Sequence, residues 1–559
     1  MKWLVADARD GAVQLCPVDD AGHPAGPTLR EPSLVHAVGS RPTVDRWIWR
    51  STAESYGTLL AAGLHVERCY DVEAAEALLI GHEEGQSGQP RSLAAAWARL
   101  HRLPVPEDAP VRTATAGGQP SLFEPGPVPL PPGTDELTAL REVYADQLAR
   151  TARTAHPERM RLLAAAESAG TLVAAEMGRA GVPWRADVHH GLLTSLLGER
   201  YPGGQETRRL AELAEEVSRA FGPGARVRPD RPADIVRAFA REGIALSSTR
   251  AWELQDIDHP AVPALLEYKK LYRLHTAHGW AWLQAWVHEG RFRPEYLPGG
   301  TVTGRWTTRG GGALQIPRVV RRAVVADPGW CLVVADADQI EPRVLAAISR
   351  DPGLMEVAGT GHDLYAGLSQ RLFAGDRDRA KLAVLGAIYG QTSGDGLRHL
   401  AELRRRFPRA VAYVDDAARA GEEGRLVRTW LGRTCPPSST ALAEEAGLPQ
   451  DEEPAAPGGT AGARRRGRFT RNFVVQGSAA EWALIVLALV RQATAGLKAE
   501  LVFFQHDELI VHCPREEAPA VVEAIRSAGD HAGRLAFGAT PTRFPFTTAV
   551  VECYADAKE

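Results

Sequence analysis

The chain has 559 residues, of which 44% are hydrophobic and 24% charged, and its formal net charge is −4. This length exceeds what one hydrophobic core supports, so we expect two to four domains. The six cysteines include no CxxC pair, which argues against a disulfide framework or a zinc site. No apolar stretch approaches the ~20 residues of a membrane span, and the N-terminus turns acidic too early for a signal peptide. A cytoplasmic protein without a membrane partner is therefore expected.

The first part of the chain, residues 1–112, alternates short apolar runs such as Trp3–Ala6 with helical patterns such as Thr52–Leu64. This alternation predicts a small α/β domain. Residues 113–135 are rich in proline and glycine with little periodicity, and they predict a semi-extended linker. From Glu136 to about Val287 the apolar residues recur at helical spacing, so a mainly helical region follows.

A continuous apolar run, Leu332–Ala335, predicts a strand that is buried on both faces. It ends in the carboxylates of Asp336 and Asp338, and Pro342 suits the first turn of a following helix. Asp336 is thus expected at a strand end with Glu341 nearby. A carboxylate held there needs a cation, and Mg²⁺ takes oxygen ligands. A solvated turn with ordinary acids would show the same pattern.

Farther along, four side chains recur every three or four residues and share one face of a predicted helix: Arg377, Lys381, Leu385 and Tyr389. Two cations one turn apart supply charge for the phosphates of a nucleotide, although any surface helix can carry such a pair. A second predicted helix places Arg468, Asn472 and Gln476 on one stripe, because they are spaced four residues apart.

Leu501–His512 consists of two apolar runs around His506, Asp507 and Glu508, which predicts a hairpin with the acids at its tip. Asp336 and Asp507 could then converge on a pair of metal ions, the arrangement that promotes phosphoryl displacement. Phe544–Cys553 is expected to form an edge strand.

Three of these segments resemble, in order, the three polymerase motifs of the DNA polymerase I family (family A): Asp336–Arg343, Arg377–Gly390 and His506–Leu509. Thr301–Thr308 and Leu314–Pro317 are similar to the segment that precedes the first motif, and the resemblance covers about Glu136 to the C-terminus. It implies an α+β right-hand fold, in which the palm is an antiparallel sheet and the thumb and fingers are helical.

The resemblance also implies a domain plan. Residues 1–112 correspond to a 3′–5′ exonuclease-like domain, expected to be inactive because Asp7-Ala-Arg9 places a cation where a second acid is needed. A bifunctional enzyme with an active exonuclease is the alternative. Residues 136–559 form the polymerase domain, with the thumb at about 155–290, the palm at about 291–350 and 464–559, and the fingers at about 351–463.

The resemblance assigns a role to each matching residue. Asp336 and Asp507 are expected to hold two Mg²⁺ ions, for which Mn²⁺ is expected to substitute, while Glu508 assists and Lys381 protonates the leaving pyrophosphate. Glu341 and Tyr389 are expected to exclude a 2′-OH. The residues implied to bind dNTP are Arg377, Lys381, Leu385, Tyr389, Glu341 and Gln339, and those implied to contact DNA are Arg305, Gln315, Arg468, Asn472, Gln476 and His506.

The chain departs from the family pattern at a few positions. Leu385 stands where an aromatic residue usually packs on the incoming sugar, and Ala337 and Asp338 replace Tyr and Ser. Weak dNTP affinity is therefore expected.

The resemblance implies a DNA-directed DNA polymerase that works as a monomer on primer-template DNA and dNTPs in bacterial replication or repair, in the cytoplasm and associated with the nucleoid. The alternative is a polymerase-shaped DNA-binding protein with weak or no synthesis. A single-subunit RNA polymerase is disfavoured by Glu341.

Overall fold

The computed structural model describes residues 1–8, 11–84, 88–109, 128–199, 207–312, 316–390, 395–436 and 460–558. Arg9, Gln315 and most of the predicted linker lie outside the described residues. Expectations that rest on those positions are therefore not addressed by the structure.

A five-stranded mixed sheet with order β3-β2-β1-β4-β5 forms the N-terminal part of the molecule. The strands are β1 (Lys2–Asp7), β2 (Val13–Val18), β3 (Leu29–Glu31), β4 (Arg46–Trp49) and β5 (Cys69–Asp71). The helices are α1 (Leu34–Gly39), α2 (Thr52–Ala61), α3 (Val72–Glu84) and α4 (Leu93–Leu100). β1 is antiparallel to β2 and parallel to β4. The small α/β unit predicted from the sequence is thus confirmed.

The next region is mainly helical, as its periodicity predicts. Its helices are α5 (Glu136–Ala152), α6 (Pro157–Ala180), α7 (Ala186–Leu197), α8 (Arg208–Ala220), α9 (Pro232–Arg241), α10 (Ala251–Gln255), α11 (Ala261–His278) and α12 (Trp280–Trp286). In α8 the buried residues Leu210, Leu213 and Val217 follow helical spacing. Short strands accompany the helices: β6 (Val182–Pro183), β7 (Val287–His288), β8 (Arg291–Phe292), β9 (Glu295–Leu297) and β10 (Thr307–Arg309).

A four-stranded antiparallel sheet with order β12-β13-β11-β14 carries the acidic residues singled out in the sequence. Its strands are β11 (Trp330–Ala337), β12 (Glu500–Gln505), β13 (Glu508–Pro514) and β14 (Phe546–Val551). Cys331–Ala335 of β11 are all buried, because this inner strand has neighbours on both sides and helices against its faces. The predicted buried strand, the hairpin and the C-terminal edge strand are confirmed.

Helices complete this half of the molecule: α13 (Ile340–Ser349), α14 (Pro352–Ala358), α15 (Leu364–Leu372), α16 (Arg377–Tyr389), α17 (Asp395–Arg406), α18 (Pro408–Glu422), α19 (Thr460–Ala493) and α20 (Ala518–Phe537). The predicted helix of the second motif corresponds to α16, and its first turn is capped by Asp376, which accepts from the N–H of Arg379. The α19 helix packs against α6, α18 and α20 and so crosses the centre of the structure.

Among the described residues, one helix is long and apolar enough by composition to cross a membrane, Gly462–Ala493 within α19. The expectation that the chain has no such stretch is therefore wrong. The most apolar window of this helix is 78% buried inside the protein. A core helix that is covered on all sides has the same composition, because its whole circumference contacts apolar neighbours.

The N-terminal sheet is joined to the rest of the molecule by polar contacts of α19. Arg491 donates to the backbone carbonyls of Val66 and Glu67 at 2.6 and 2.9 Å. The same guanidinium forms an ion pair with Glu176 of α6 at 2.8 Å. These contacts fix the N-terminal unit against the two longest helices.

Candidate active site

Three acidic residues from two distant segments lie side by side at one end of the four-stranded sheet. Asp336 of β11 is in register with Glu508 of β13, and the N–H of Ala337 donates to the carbonyl of Asp507 at 2.9 Å. Burial and the neighbouring Asp336 raise the pKa of Asp507 to about 6. The strand register thus brings Asp336 next to Asp507, and their convergence on a pair of metal ions stays a prediction.

The C-terminal turn of the chain reaches the same acids. Lys558 Nζ lies 2.7 Å from Asp336 Oδ2 and also forms an ion pair with Glu508. The hydroxyl of Tyr554 donates to the Glu508 carboxylate. Sequence reasoning missed both residues, because they follow the last strand and belong to no motif or periodic pattern.

The chemistry of this cluster suits a hard divalent cation. Its donors are carboxylate oxygens, and the Lys558 ammonium shows that a cation is accommodated between Asp336 and Glu508. No group of three His, Cys, Asp or Glu side chains is arranged to hold a metal ion within the described part of the chain. Asp336 and Asp507 are the residues that could hold one, with substrate phosphates completing the coordination.

Glu341 connects two segments that face the acids. Its carboxylate accepts from Tyr389 of α16 at 2.8 Å and from Arg305 at 2.6 Å. Because Glu341 is only 9% exposed, its carboxylate is largely shielded from water, and the two hydrogen bonds hold the three side chains in one arrangement. The contact between Glu341 and Tyr389 that the resemblance implies is present.

Three further residues of α16 differ in their surroundings. Arg377 donates to Asp363 at 2.7 Å, and Lys381 is exposed one turn later. Leu385 is half-buried and lines a cavity of about 150 Å³ together with Tyr365 and Asp507. The resemblance places the incoming sugar against Leu385, and the cavity lies next to that side chain. An apolar but non-aromatic side chain thus stands at the expected nucleotide position.

The side chain of Gln339 makes a structural hydrogen bond with a neighbouring helix. It adopts a left-handed conformation with φ 50° just before α13, and its side-chain oxygen accepts from the N–H of Leu364 at 3.0 Å. It therefore holds the first turn of α15 and also borders the cavity beside Leu385. Its contact with dNTP stays a prediction.

Two of the residues expected to contact DNA, Gln476 and His506, lie near Arg305. In the amide orientation that satisfies both side chains, Gln476 accepts from the Arg305 guanidinium at 2.5 and 3.1 Å. Asn472 Oδ1 is buried without a hydrogen-bond partner among the described residues, while Arg468 is exposed. His506 takes a left-handed conformation (φ 56°) in the hairpin turn, and burial lowers its pKa. Gln315 lies outside the described residues, and the contacts of all six residues with DNA stay predictions.

Arg343, for which the motif predicts no separate role, fixes the start of α13. This fully buried guanidinium donates to the carbonyls of Asp338, Ala358, His362 and Arg543 at 2.6 to 3.1 Å. Four buried carbonyl groups are thereby satisfied by one side chain. The presence of an arginine in the motif was the one sign of this role in the sequence. Its hydrogen-bond partners could not be predicted, because they come from segments that only the fold brings together.

In the N-terminal unit, Asp7 ends β1 and borders a cavity that also contains Arg50 and Glu136. Arg50 donates to Glu54 at 2.7 Å and pairs with Glu136 at 3.3 Å. The Arg50 guanidinium thus offsets the charge of one acid of this cavity, Glu136, and the described residues here include no group of three metal ligands. The absence of exonuclease activity stays a prediction.

The sequence of the chain is similar to those of known DNA polymerases. The profile of DNA polymerase family A matches residues 238–538. DNA polymerase I of Chloroflexus aurantiacus is 29% identical over 370 residues, which cover 58% of this chain and 37% of that protein. The thermostable DNA polymerase I of Thermus thermophilus is 31% identical over 293 residues, covering 47% of this chain and 33% of that protein. The chain thus spans little more than a third of the length of these curated relatives.

A solved structure resembles the whole chain. It is the POL domain of Pol1 from M. smegmatis in complex with DNA primer-template and dNTP. The TM-score is 0.70 at 20% sequence identity, and the match covers 100% of this chain and 96% of that one. This likeness confirms the α+β right-hand fold that the motifs predict.

Proposed function

The chain belongs to DNA polymerase family A, and from that membership we propose that it is a DNA-directed DNA polymerase that adds dNTPs to a primer 3′-OH. The observation that carries the proposal is the placement of Asp336 beside Asp507 and Glu508 at the end of one sheet. Two acids that are far apart in sequence and adjacent in space are what a phosphoryl-transfer site needs.

Polymerases of this family depend on divalent metal ions, and we propose Mg²⁺ here, with Asp336 and Asp507 as its ligands. Hard carboxylate oxygens support that choice, since Mg²⁺ also binds the phosphates of the substrate. When bound, the ions would lower the pKa of the primer 3′-OH and neutralise charge on the triphosphate. Glu508 supports the same cluster, and Mn²⁺ is expected to substitute.

The nucleotide would lie against α16. Arg377 and Lys381 carry positive charge one turn apart on exposed positions, which favours binding of the triphosphate, and Lys381 is the proposed proton donor to pyrophosphate. Glu341 and Tyr389, joined by a 2.8 Å hydrogen bond, would fill the space that a 2′-OH needs. This arrangement supports selection of deoxynucleotides and opposes an RNA polymerase.

Primer-template DNA is the proposed partner. Arg305 and Gln476 form one polar group next to His506, and an arginine there can donate to acceptors that all base pairs share in the minor groove. Arg468 and Asn472 extend the same stripe of α19 toward the template. Contacts of this kind position the duplex without reading its sequence.

We propose the same domain plan as the motifs imply, with a thumb at about 155–290, a palm at about 291–350 and 464–559, and fingers at about 351–463. The exonuclease-like unit at residues 1–112 is proposed to be a scaffold, because Arg50 pairs with Glu136 in the cavity beside Asp7 and offers a cation where acids would be needed. A monomer in the bacterial cytoplasm, associated with the nucleoid, is proposed from the bacterial relatives.

A second candidate is a DNA-binding protein of polymerase shape with weak synthesis. It is favoured by Leu385, which offers no aromatic face to the nucleotide, and by Lys558, which already pairs with Asp336. Primer extension with Mg²⁺ or Mn²⁺ separates the two candidates, since only a polymerase lengthens the primer.

The test of the proposed function is the variant Asp336→Ala in a primer-extension assay. Extension should be lost because a metal ligand is removed, while binding of primer-template DNA in a gel-shift assay should persist. Asp338→Ala is the matched control, since Asp338 accepts a hydrogen bond from Thr547 at 2.8 Å instead of facing Glu508. Undiminished extension by Asp336→Ala would refute the assignment.

A further inference from the structure

The C-terminal turn, Tyr554–Lys558, is anchored to the sheet and is not a loose tail. The N–H of Tyr554 donates to the carbonyl of Val324 at 3.0 Å, and its ring lies 4.5 Å beneath the guanidinium of Arg321. Tyr554 is only 2% exposed, and its hydroxyl donates to Glu508. The turn therefore has a fixed position relative to the acids.

From this anchored turn the side chain of Lys558 extends across the acidic cluster. Its Nζ lies 2.7 Å from Asp336 Oδ2 and also pairs with Glu508, so that one ammonium bridges two strands. The side chain is 46% exposed, whereas that of Glu508 is 7% exposed. The ammonium can thus leave toward solvent, but the carboxylate that it neutralises cannot.

The charge balance explains why a cation is needed at this point. Asp336, Asp507 and Glu508 bring three carboxylates together at the sheet end, and like charges in a partly buried site repel one another. A lysine ammonium offsets one of these charges. A divalent cation bound to the same oxygens would offset two, and it cannot share them with the ammonium at hydrogen-bond distance.

We propose that Lys558 is an internal counter-ion of the acidic cluster that competes with the divalent cation for Asp336 and Glu508. The C-terminal turn would then set how much divalent cation the protein needs. In the absence of the cation, Lys558 holds the two strands together. This inference rests on the proposed function only in taking Asp336 as a metal ligand.

The experiment is a titration of the full-length protein with Mn²⁺, followed by electron paramagnetic resonance, without DNA or nucleotide. Lys558→Met keeps the length of the side chain and removes its charge. We expect it to bind Mn²⁺ about 3- to 5-fold more tightly than the wild type, the upper part of the range for a partly exposed ion pair. Lys558→Arg should stay within about twofold of the wild-type Kd, because it retains the charge.

Thermal unfolding supplies a second readout that is independent of synthesis. In EDTA the Tm of Lys558→Met should fall below that of the wild type, and Mn²⁺ should raise it by more than it raises the wild-type Tm. Lys498→Met is the matched control, since Lys498 is exposed before β12 and makes no contact with the acids. It should leave both measurements unchanged.

A Kd for Mn²⁺ in Lys558→Met that equals the wild-type value would overturn the inference, as would an unchanged Tm in EDTA. Failure of the proposed function has a different signature. A wild-type protein that does not extend primers, combined with tighter Mn²⁺ binding by Lys558→Met, would refute the polymerase assignment and support the counter-ion role.

Discussion

Replacing Leu385 by phenylalanine is expected to strengthen binding of the incoming dNTP. Leu385 stands on α16 beside the cavity of about 150 Å³ that adjoins the acids. It is half-buried there, so an aromatic ring can enter the cavity without the overpacking that extra carbon atoms cause in a filled core. The ring would then present a stacking face where the present side chain offers only methyl groups.

The size of the effect follows from the energy of stacking. An aromatic platform contributes roughly 1–3 kcal/mol per stacked group, and each 1.4 kcal/mol corresponds to about tenfold in affinity. The KM for dNTP should therefore fall by about 5- to 150-fold in Leu385→Phe. Because the ring would add binding energy for the nucleotide and would remove no group that transfers a proton, kcat should change much less than KM.

Single-nucleotide incorporation on a primer-template, measured over a range of dNTP concentrations, gives both constants. Leu535→Phe is the control, since Leu535 is a 46% exposed leucine on α20 and should leave KM unchanged. An unchanged KM in Leu385→Phe would show that the nucleotide does not pack on this position and would refute the reasoning.

Three further outcomes are expected. Glu341→Ala should raise incorporation of rNTP relative to dNTP by at least about tenfold, ~1.4 kcal/mol, because Tyr389 loses its partner and space opens beside the sugar. Competition between rNTP and dNTP measures this ratio, and an unchanged ratio would argue against the exclusion of a 2′-OH by Glu341. Arg343→Met should lower the free energy of unfolding in urea by at least about 3 kcal/mol, because four carbonyls lose their donor and each one left unsatisfied costs about 1 kcal/mol or more. A loss below about 1 kcal/mol would contradict this account. Burial raises the pKa of Glu481 from 4.5 to about 7. Between these two values the folded protein keeps a proton on Glu481 that the unfolded chain releases. The free energy of unfolding should therefore fall as the pH rises from about 4.5 to about 7, and then level off. Glu481→Gln should flatten that dependence in Tm measured across pH, and an identical pH profile would count against it.

Much of the fold could be predicted because its signals are local. The apolar run at Leu332–Ala335 and the alternation around His506 specify a buried strand and a hairpin by themselves. The spacing of Arg377, Lys381 and Leu385 likewise specifies one face of α16. The expectation that no long apolar stretch is present was wrong because of α19. Polar residues interrupt its apolar runs along the sequence, although the helix as a whole is apolar enough for a buried position.

The sequence by itself determined which side chains are available for chemistry, namely Asp336, Asp507 and the residues of α16, because their order and spacing are visible along the chain. Only the tertiary structure decided what these side chains contact. Lys558 and Tyr554 reach the acids because β14 returns the C-terminus to β11. Such contacts depend on strand order and register, which join segments that are distant in sequence and leave no periodic trace in it.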